Sequence, residues 1–466
     1  MSGQADVKGP ERAGRGVVER FGVEPIPTEL RTVGWHDLFA IIFTFHLNPI
    51  MYLIGALAVV EGGLPLWWAA GSIAAGQAVA FALLVVVAQA GVDYGLPGQV
   101  ALRATFGAWG ARGLTSPYRM VAATYWFAAQ ALAGALGVQA IVRGLTGHEL
   151  RLVPVALVLA AAQGLLAVIG FDALRYFVRI VLPLMIVFTG VIVALYLTAD
   201  DPAYAVSRVF RSPEQAFTWL GFATFVTVTW GAALTNVTNV ADFCRYARSR
   251  RDMRVGFFAG AVVSAFLTAW VGAYAAVATG EMNPFVAVTD LTGSRPLLAV
   301  LLVAIVVQTT SVNIMNIYTA GLSLVNTAPG LGRLRSTTAV GVVAVALAAF
   351  PDFVVEAQKW ITHLGNVAAP LAGVILADYA LLKRTRIDVP ALFEPGGRYR
   401  YLGGVNPAAL AAFGVAVGVY YAVPDAFLKA AWGVGTGAVA YLGLVWLQTA
   451  LVPRTAVAME CSRAGR

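Results

Sequence analysis

The chain is built from long apolar runs separated by short polar interruptions. Runs of roughly 20 apolar residues, each long enough to cross a bilayer core, recur along its whole length. Their placement predicts twelve membrane-spanning helices, over 36–60, 66–90, 116–142, 152–171, 176–198, 215–240, 255–279, 297–325, 336–350, 357–382, 406–424 and 428–451. They are numbered here as spans 1 to 12. Residues 1–33 are polar and lack the apolar core and cleavage site of a signal peptide, which predicts a cytoplasmic tail. No long linker or low-complexity block divides the rest. The expectation is one all-α membrane domain in which 34–200 carries spans 1–5, 201–385 carries spans 6–10, and 386–452 carries spans 11 and 12. A cytoplasmic tail follows over 453–466.

Two spans are interrupted. Span 1 contains "FTFHLNPIMY" (43–52), where Pro49 follows His46 and Asn48, and a proline lacks the N–H that closes the helical ladder. Span 6 contains "WGAALTNVTNVADF" (230–243), with Gly231, Asn236 and Asn239. A single kink of this kind is common packing in membrane helices. Spans 1 and 6 are five apart, however, so an inverted repeat of five spans puts both breaks at corresponding places. Paired breaks of that kind point to a transporter's midplane site.

Composition sharpens this picture. The 466 residues are 59% hydrophobic and only 12% charged, against about a quarter charged in soluble domains. Of the 32 Lys and Arg, 25 fall in one set of alternating loops and tails and 7 in the other. The positive-inside rule then predicts that both termini are cytoplasmic, in the cytoplasmic membrane. The net charge of +8 follows from that bias and is no sign of nucleic-acid binding. The two cysteines, Cys244 and Cys461, imply no disulfide framework.

The candidate chemistry is neutral. No span centre carries Asp, Glu, Lys or Arg, while Asp242 and Asp378 lie near helix ends beside Arg245 and Lys383 and read as ion-paired. The four histidines are scattered, so no catalytic cluster or metal set is legible, which argues against a membrane enzyme. Amides, hydroxyls and indoles do occur at depth: Asn48, Trp126, Gln130, Trp230, Thr235, Asn236, Asn239 and Asn316. Trp126 and Gln130 share a helix face one turn apart. They suit a planar heterocycle, with an indole to stack on and an amide to read the ring edge. An amide bonded to a neighbouring helix beside a packed indole satisfies the same spacing. Thr310 and Ser311 in span 8 offer adjacent hydroxyls, suited either to Na⁺ or to bonds back to their own helix. His46 is the one titratable group at depth, and so the alternative proton carrier.

At these residues the chain resembles the nucleobase:cation symporter-1 family, the cytosine/purine, uracil, thiamine and allantoin permeases, and most of all its purine–cytosine branch. The resemblance runs from about residue 20 to 425. It rests on "GVEPIPTELRT" (22–32), "GLPGQVALRATFGAWG" (95–110), "NVADFCRYARS" (239–249), and "PLAGVILADYALLKR" (370–384) with the loop after it. It implies a leucine-transporter-type fold of ten helices in two inverted repeats plus two more. It implies further that Trp126 and Gln130 hold the substrate ring and that Asn316 bonds it. Na⁺ would lie between the Thr310 and Ser311 hydroxyls and carbonyls near Phe45, Asn48 and Val307. The chain departs from the family in having His46 and Pro49 in span 1, and Ala233 where many relatives carry an aromatic residue. Trp230 lies one turn earlier. The reading at this point is Na⁺ symport of a neutral planar nitrogen heterocycle, cytosine or a purine base first. Hydantoin, allantoin or a thiamine-type precursor, or coupling to H⁺, is the alternative. His46, Asn48, Trp230, Thr235 and Asn236 complete the expected pocket. No cofactor, nucleic acid or obligate protein partner is expected, only substrate and membrane lipid.

Overall fold

The computed structural model describes residues 22–168, 171–394 and 396–451. Both expected tails fall largely outside the described residues, as does Cys461. The described chain is helical, and helices stand at all the predicted positions. Six are long and apolar enough to cross a membrane, and the bent pair Trp35–His46 and Pro49–Val60 makes up to seven. Leu152–Ala167, Val181–Leu197, Trp219–Leu234 and Pro407–Ala422 are shorter apolar helices. The shortest of the twelve expected spans, 336–350, is a regular helix over Gly332–Leu347.

The break in span 1 falls where proline requires it. The first half ends at His46, and Pro49 occupies the first turn of the second half, where its missing N–H costs nothing. Asn48 caps that second half by accepting from the Met51 N–H at 3.1 Å, and the halves meet at 57°. In span 6 the break comes later than Gly231. The helix Trp219–Leu234 runs through that glycine and ends at Thr235. A short 3₁₀ turn, Val240–Phe243, follows. The cause is local competition for backbone groups: Thr235 Oγ1 donates to the Ala232 carbonyl at 2.6 Å, and Asn236 Nδ2 donates to the Ala233 carbonyl at 3.3 Å.

Span 8 (Arg295–Thr327) packs along span 3 (Ser116–Thr146). Span 7 (Arg250–Thr279) packs along both halves of span 1. Lipid gives helices no hydrophobic reason to associate, so small residues that allow close approach carry the packing. A Cβ on Gly272 would overlap the Tyr52 carbonyl, and one on Gly55 would overlap the Ala269 carbonyl. Gly272→Leu should therefore force spans 1 and 7 apart and cost about 1–3 kcal/mol. A lowered melting temperature of the purified protein would show it; an unchanged one would mean that the contact yields freely.

The recurring loop segments lock one end of the bundle. Thr105 Oγ1 donates to Asp378 Oδ2 at 2.6 Å and Tyr441 OH to Asp378 Oδ1 at 2.9 Å, while Lys383 pairs with the same carboxylate. Asp242 Oδ1 accepts from the Gly98 N–H at 2.7 Å. The Phe106 carbonyl accepts from the Asn406 N–H at 2.9 Å. The carboxylates near the helix ends are thus scaffold. One of the 25 charges counted with the loops and tails, Arg119, is instead fully buried in span 3. Its Nε and Nη2 donate to Thr319 Oγ1 at 3.0 and 2.7 Å.

Candidate functional site

The two breaks face one cavity between spans 1, 2, 3, 6 and 8. Its free volume is about 20 Å³, room for a single water molecule, so the walls close tightly on one another. Phe45, His46 and Asn48 come from the span 1 break, Ala232, Ala233 and Asn236 from the end of the span 6 helix, Trp126 and Gln130 from span 3, and Asn316 from span 8. Six of the expected site residues (His46, Asn48, Trp126, Gln130, Asn236 and Asn316) therefore meet at one place.

Their polar atoms differ in what they have left to offer. Asn48 is committed to the backbone: Oδ1 caps span 1 and Nδ2 donates to the Phe45 carbonyl at 2.6 Å. His46 Nδ1 bonds the Ile42 carbonyl at 3.0 Å, which sets the neutral ring as the Nδ1–H tautomer. Its ring lies edge-on to Phe45 and Phe81. Trp126 Nε1 donates to Thr235 Oγ1 at 3.1 Å, so the indole edge is fixed against the span 6 break and its orientation is set. Gln130 Oε1 and Asn316 Oδ1 are buried without a hydrogen-bond partner. Asn316 Nδ2 reaches Asn313 Oδ1 at 3.3 Å. Asn313 in turn donates to Gln163 and to the Phe127 carbonyl, which ties span 8 to spans 3 and 4.

One polar lining residue was missed. Gln77 in span 2 is buried, faces the cavity, and leaves Oε1 without a partner. Its signal in the sequence was a lone amide within an apolar span, the same signal that marked Gln130. Two expected residues are not in the lining. Thr235 acts on the site through Trp126. Trp230 is buried in the hydrophobic core outside the lining, with Nε1 buried and unpartnered. Ala232 and Ala233 form that part of the wall instead.

Of the residues expected to hold a cation, Phe45 and Asn48 line the cavity, whereas Val307, Thr310 and Ser311 do not. Val312 of span 8 lines it together with Phe45. Ser311 is fully buried and its Oγ has no partner, whereas Thr310 Oγ1 bonds back to the Val306 carbonyl at 2.6 Å. Oxygen ligands suit a hard cation, and an orphaned buried hydroxyl such as the Ser311 Oγ fits one. Val307 is half-buried on the same helix. Among the described residues no group of three His, Cys, Asp or Glu could hold a transition metal.

A second, open cavity of about 460 Å³ lies at the Val60 end of span 1, against spans 6 and 10. Glu61, Thr227, Glu356 and His363 are among its walls.

Comparison with known proteins agrees with this geometry. The family described as permease for cytosine/purines, uracil, thiamine, allantoin matches residues 25–447. A hydantoin permease of Microbacterium maritypicum is 27% identical over 411 residues, covering 85% of this chain and 82% of that protein. An allantoin permease of Bacillus subtilis (strain 168) is 26% identical over 454 residues, covering 88% and 89%. In fold, the chain is similar to Mhp1, a nucleobase-cation-symport-1 family transporter solved in a closed conformation with bromovinylhydantoin bound. The TM-score is 0.81 at 24% identity, over 93% of this chain and 97% of that one. These relatives are permeases, not enzymes, and the expected resemblance holds. The chain is a multi-pass membrane transporter that belongs to the family of permeases for cytosine/purines, uracil, thiamine and allantoin.

Proposed function

We propose that this transporter imports a small neutral nitrogen ring of the hydantoin and allantoin type across the cytoplasmic membrane, coupled to Na⁺. The observation that carries the reading is the set of buried amides around one indole. Gln77, Gln130 and Asn316 each leave a side-chain oxygen without a partner in the cavity beside Trp126. A buried polar atom left unpaired costs about 1–3 kcal/mol, so these amides favour a guest that pairs with them. A carboxamide can turn end for end, and the wall therefore offers a donor–acceptor edge. A cyclic ureide, with N–H and C=O groups alternating around its ring, matches that edge. The cavity lining holds no Asp, Glu, Lys or Arg, and its one histidine is a neutral ring bonded to a carbonyl, which suits a neutral guest. The hydantoin and allantoin permeases among the relatives support this order of substrates. Cytosine or a purine is the second reading, favoured by the flat indole face. Displacement of bound radiolabelled hydantoin by allantoin, cytosine, adenine, uracil and thiamine separates them. The ureides should compete best; competition by cytosine or adenine alone reverses the order.

Ala233 sharpens the selectivity. With alanines opposite the indole, the ring stacks on one face only, and space remains for a substituent out of the ring plane, such as the ureido arm of allantoin. Ala233→Trp should weaken allantoin by about tenfold or more, on the scale of steric discrimination in pockets, and spare flat rings. Equal losses for both would remove this explanation.

For the cation, Ser311 with Thr310 and the carbonyls around Phe45, Asn48 and Val307 provide the oxygen set, and Na⁺ there would join spans 1 and 8. Coupling follows if Na⁺ binds the outward-open state better than the inward-open one. The twelve-span arrangement with both termini cytoplasmic and two rocking five-span repeats belongs to the same proposal. It makes the cavity beside Glu61 the outer approach to the site.

A further inference from the structure

A cavity of about 560 Å³ opens far from the substrate site, between the start of span 3 and the loop joining spans 10 and 11. Arg103, Arg112 and Arg400 line it, with Glu394 as the carboxylate and Trp109 and Phe393 as exposed aromatic edges. Arg103 is 5% exposed and meets only neutral acceptors: Asn326 Oδ1 from Nε and Nη2, at 2.9 and 2.5 Å, and the Leu392 carbonyl from Nη1 at 3.3 Å. Burial pushes its guanidinium down to about 10, and the like charge of Arg112 pushes the same way. It stays protonated at neutral pH, with no carboxylate bonded to it. Arg112 donates Nε to the Asn326 carbonyl at 3.1 Å and stacks over Trp109 at 5.3 Å, which leaves its two terminal nitrogens uncommitted. Arg400 is exposed, and its guanidinium has no partner among the described residues.

Three guanidinium groups against one carboxylate make a cationic basin held in place by aromatic faces. A buried arginine without a countercharge is costly, and an anion that enters the basin removes that cost. Guanidinium presents planar paired donors that match phosphate oxygens. We infer that this cavity is a binding site for a phosphate-bearing anion, distinct from the transport site. The ligand is either the headgroup of an anionic lipid or a soluble phosphate. Trp109, 61% exposed, and Phe393, 43% exposed, give the rim the character of a membrane–water boundary, which favours the headgroup.

The test uses the full-length, delipidated protein in neutral detergent. Binding is read as thermal stabilisation and by native mass spectrometry, with phosphatidylglycerol, phosphatidylcholine, inorganic phosphate and glycerol 3-phosphate as probes. Retention of phosphatidylglycerol over phosphatidylcholine, undiminished by free phosphate, identifies a headgroup site. Stabilisation by inorganic phosphate or glycerol 3-phosphate, with displacement of the lipid, identifies a soluble phosphate. The double variant Arg112→Gln/Arg400→Gln should weaken whichever probe binds by about fivefold per arginine removed. Arg400→Gln alone touches no recorded contact and serves if the double variant misfolds. Binding of no anionic probe, or binding undiminished in these variants, overturns the inference. Substrate affinity, measured in parallel, should stay unchanged in Arg400→Gln, which separates this site from the transport site.

Discussion

Trp126→Ala should raise the substrate concentration for half-maximal uptake by roughly ten- to a hundredfold, the range set by stacking a ring on an aromatic face. The indole is buried, lines the cavity, and is oriented by its bond to Thr235. Alanine removes the stacking surface and frees the end of the span 6 helix together. Two companions separate these effects. Trp126→Phe keeps a ring face without the N–H and should recover most of the loss. Thr235→Val removes the acceptor alone and should cost only a few-fold, near the net worth of one hydrogen bond. Unchanged uptake in Trp126→Ala would remove stacking from the account, and a Thr235→Val variant as weak as Trp126→Ala would make the indole a strut.

Ser311→Ala should raise the Na⁺ concentration for half-maximal uptake by about tenfold or more, since even outer partners of metal ligands are worth that much. Its hydroxyl is the orphaned one; Thr310 already bonds the Val306 carbonyl, so Thr310→Val should cost less. Both should leave substrate binding at saturating Na⁺ nearly intact. If neither variant shifts the Na⁺ requirement while His46→Gln abolishes uptake, coupling passes to protons.

Much of this was legible in the sequence because a membrane forces legibility: every span must be apolar, and each amide or indole inside one stands out. The helix positions, the break at Pro49, and the pairing of Trp126 with Gln130 came through for that reason. What failed was three-dimensional. Trp230 lies on the span 6 helix just before the break that carries Asn236, and spacing did not say that its indole would stay out of the cavity. Asn48 looks identical as a pocket residue or as a helix cap, and it both lines the cavity and caps the second half of span 1. Gln77 carried the same signal as Gln130 but lay in an unbroken span. Arg119 passed for a loop charge because only tertiary packing places it beside Thr319.

The most direct measurement is uptake of radiolabelled allantoin and hydantoin into proteoliposomes of the purified protein, with an inward Na⁺ gradient, with an inward proton gradient, and with neither. Accumulation of unmodified substrate above equilibrium only under the Na⁺ gradient is the predicted result. Accumulation driven by protons alone, or equilibration with no accumulation under any gradient, would contradict Na⁺ symport at this site.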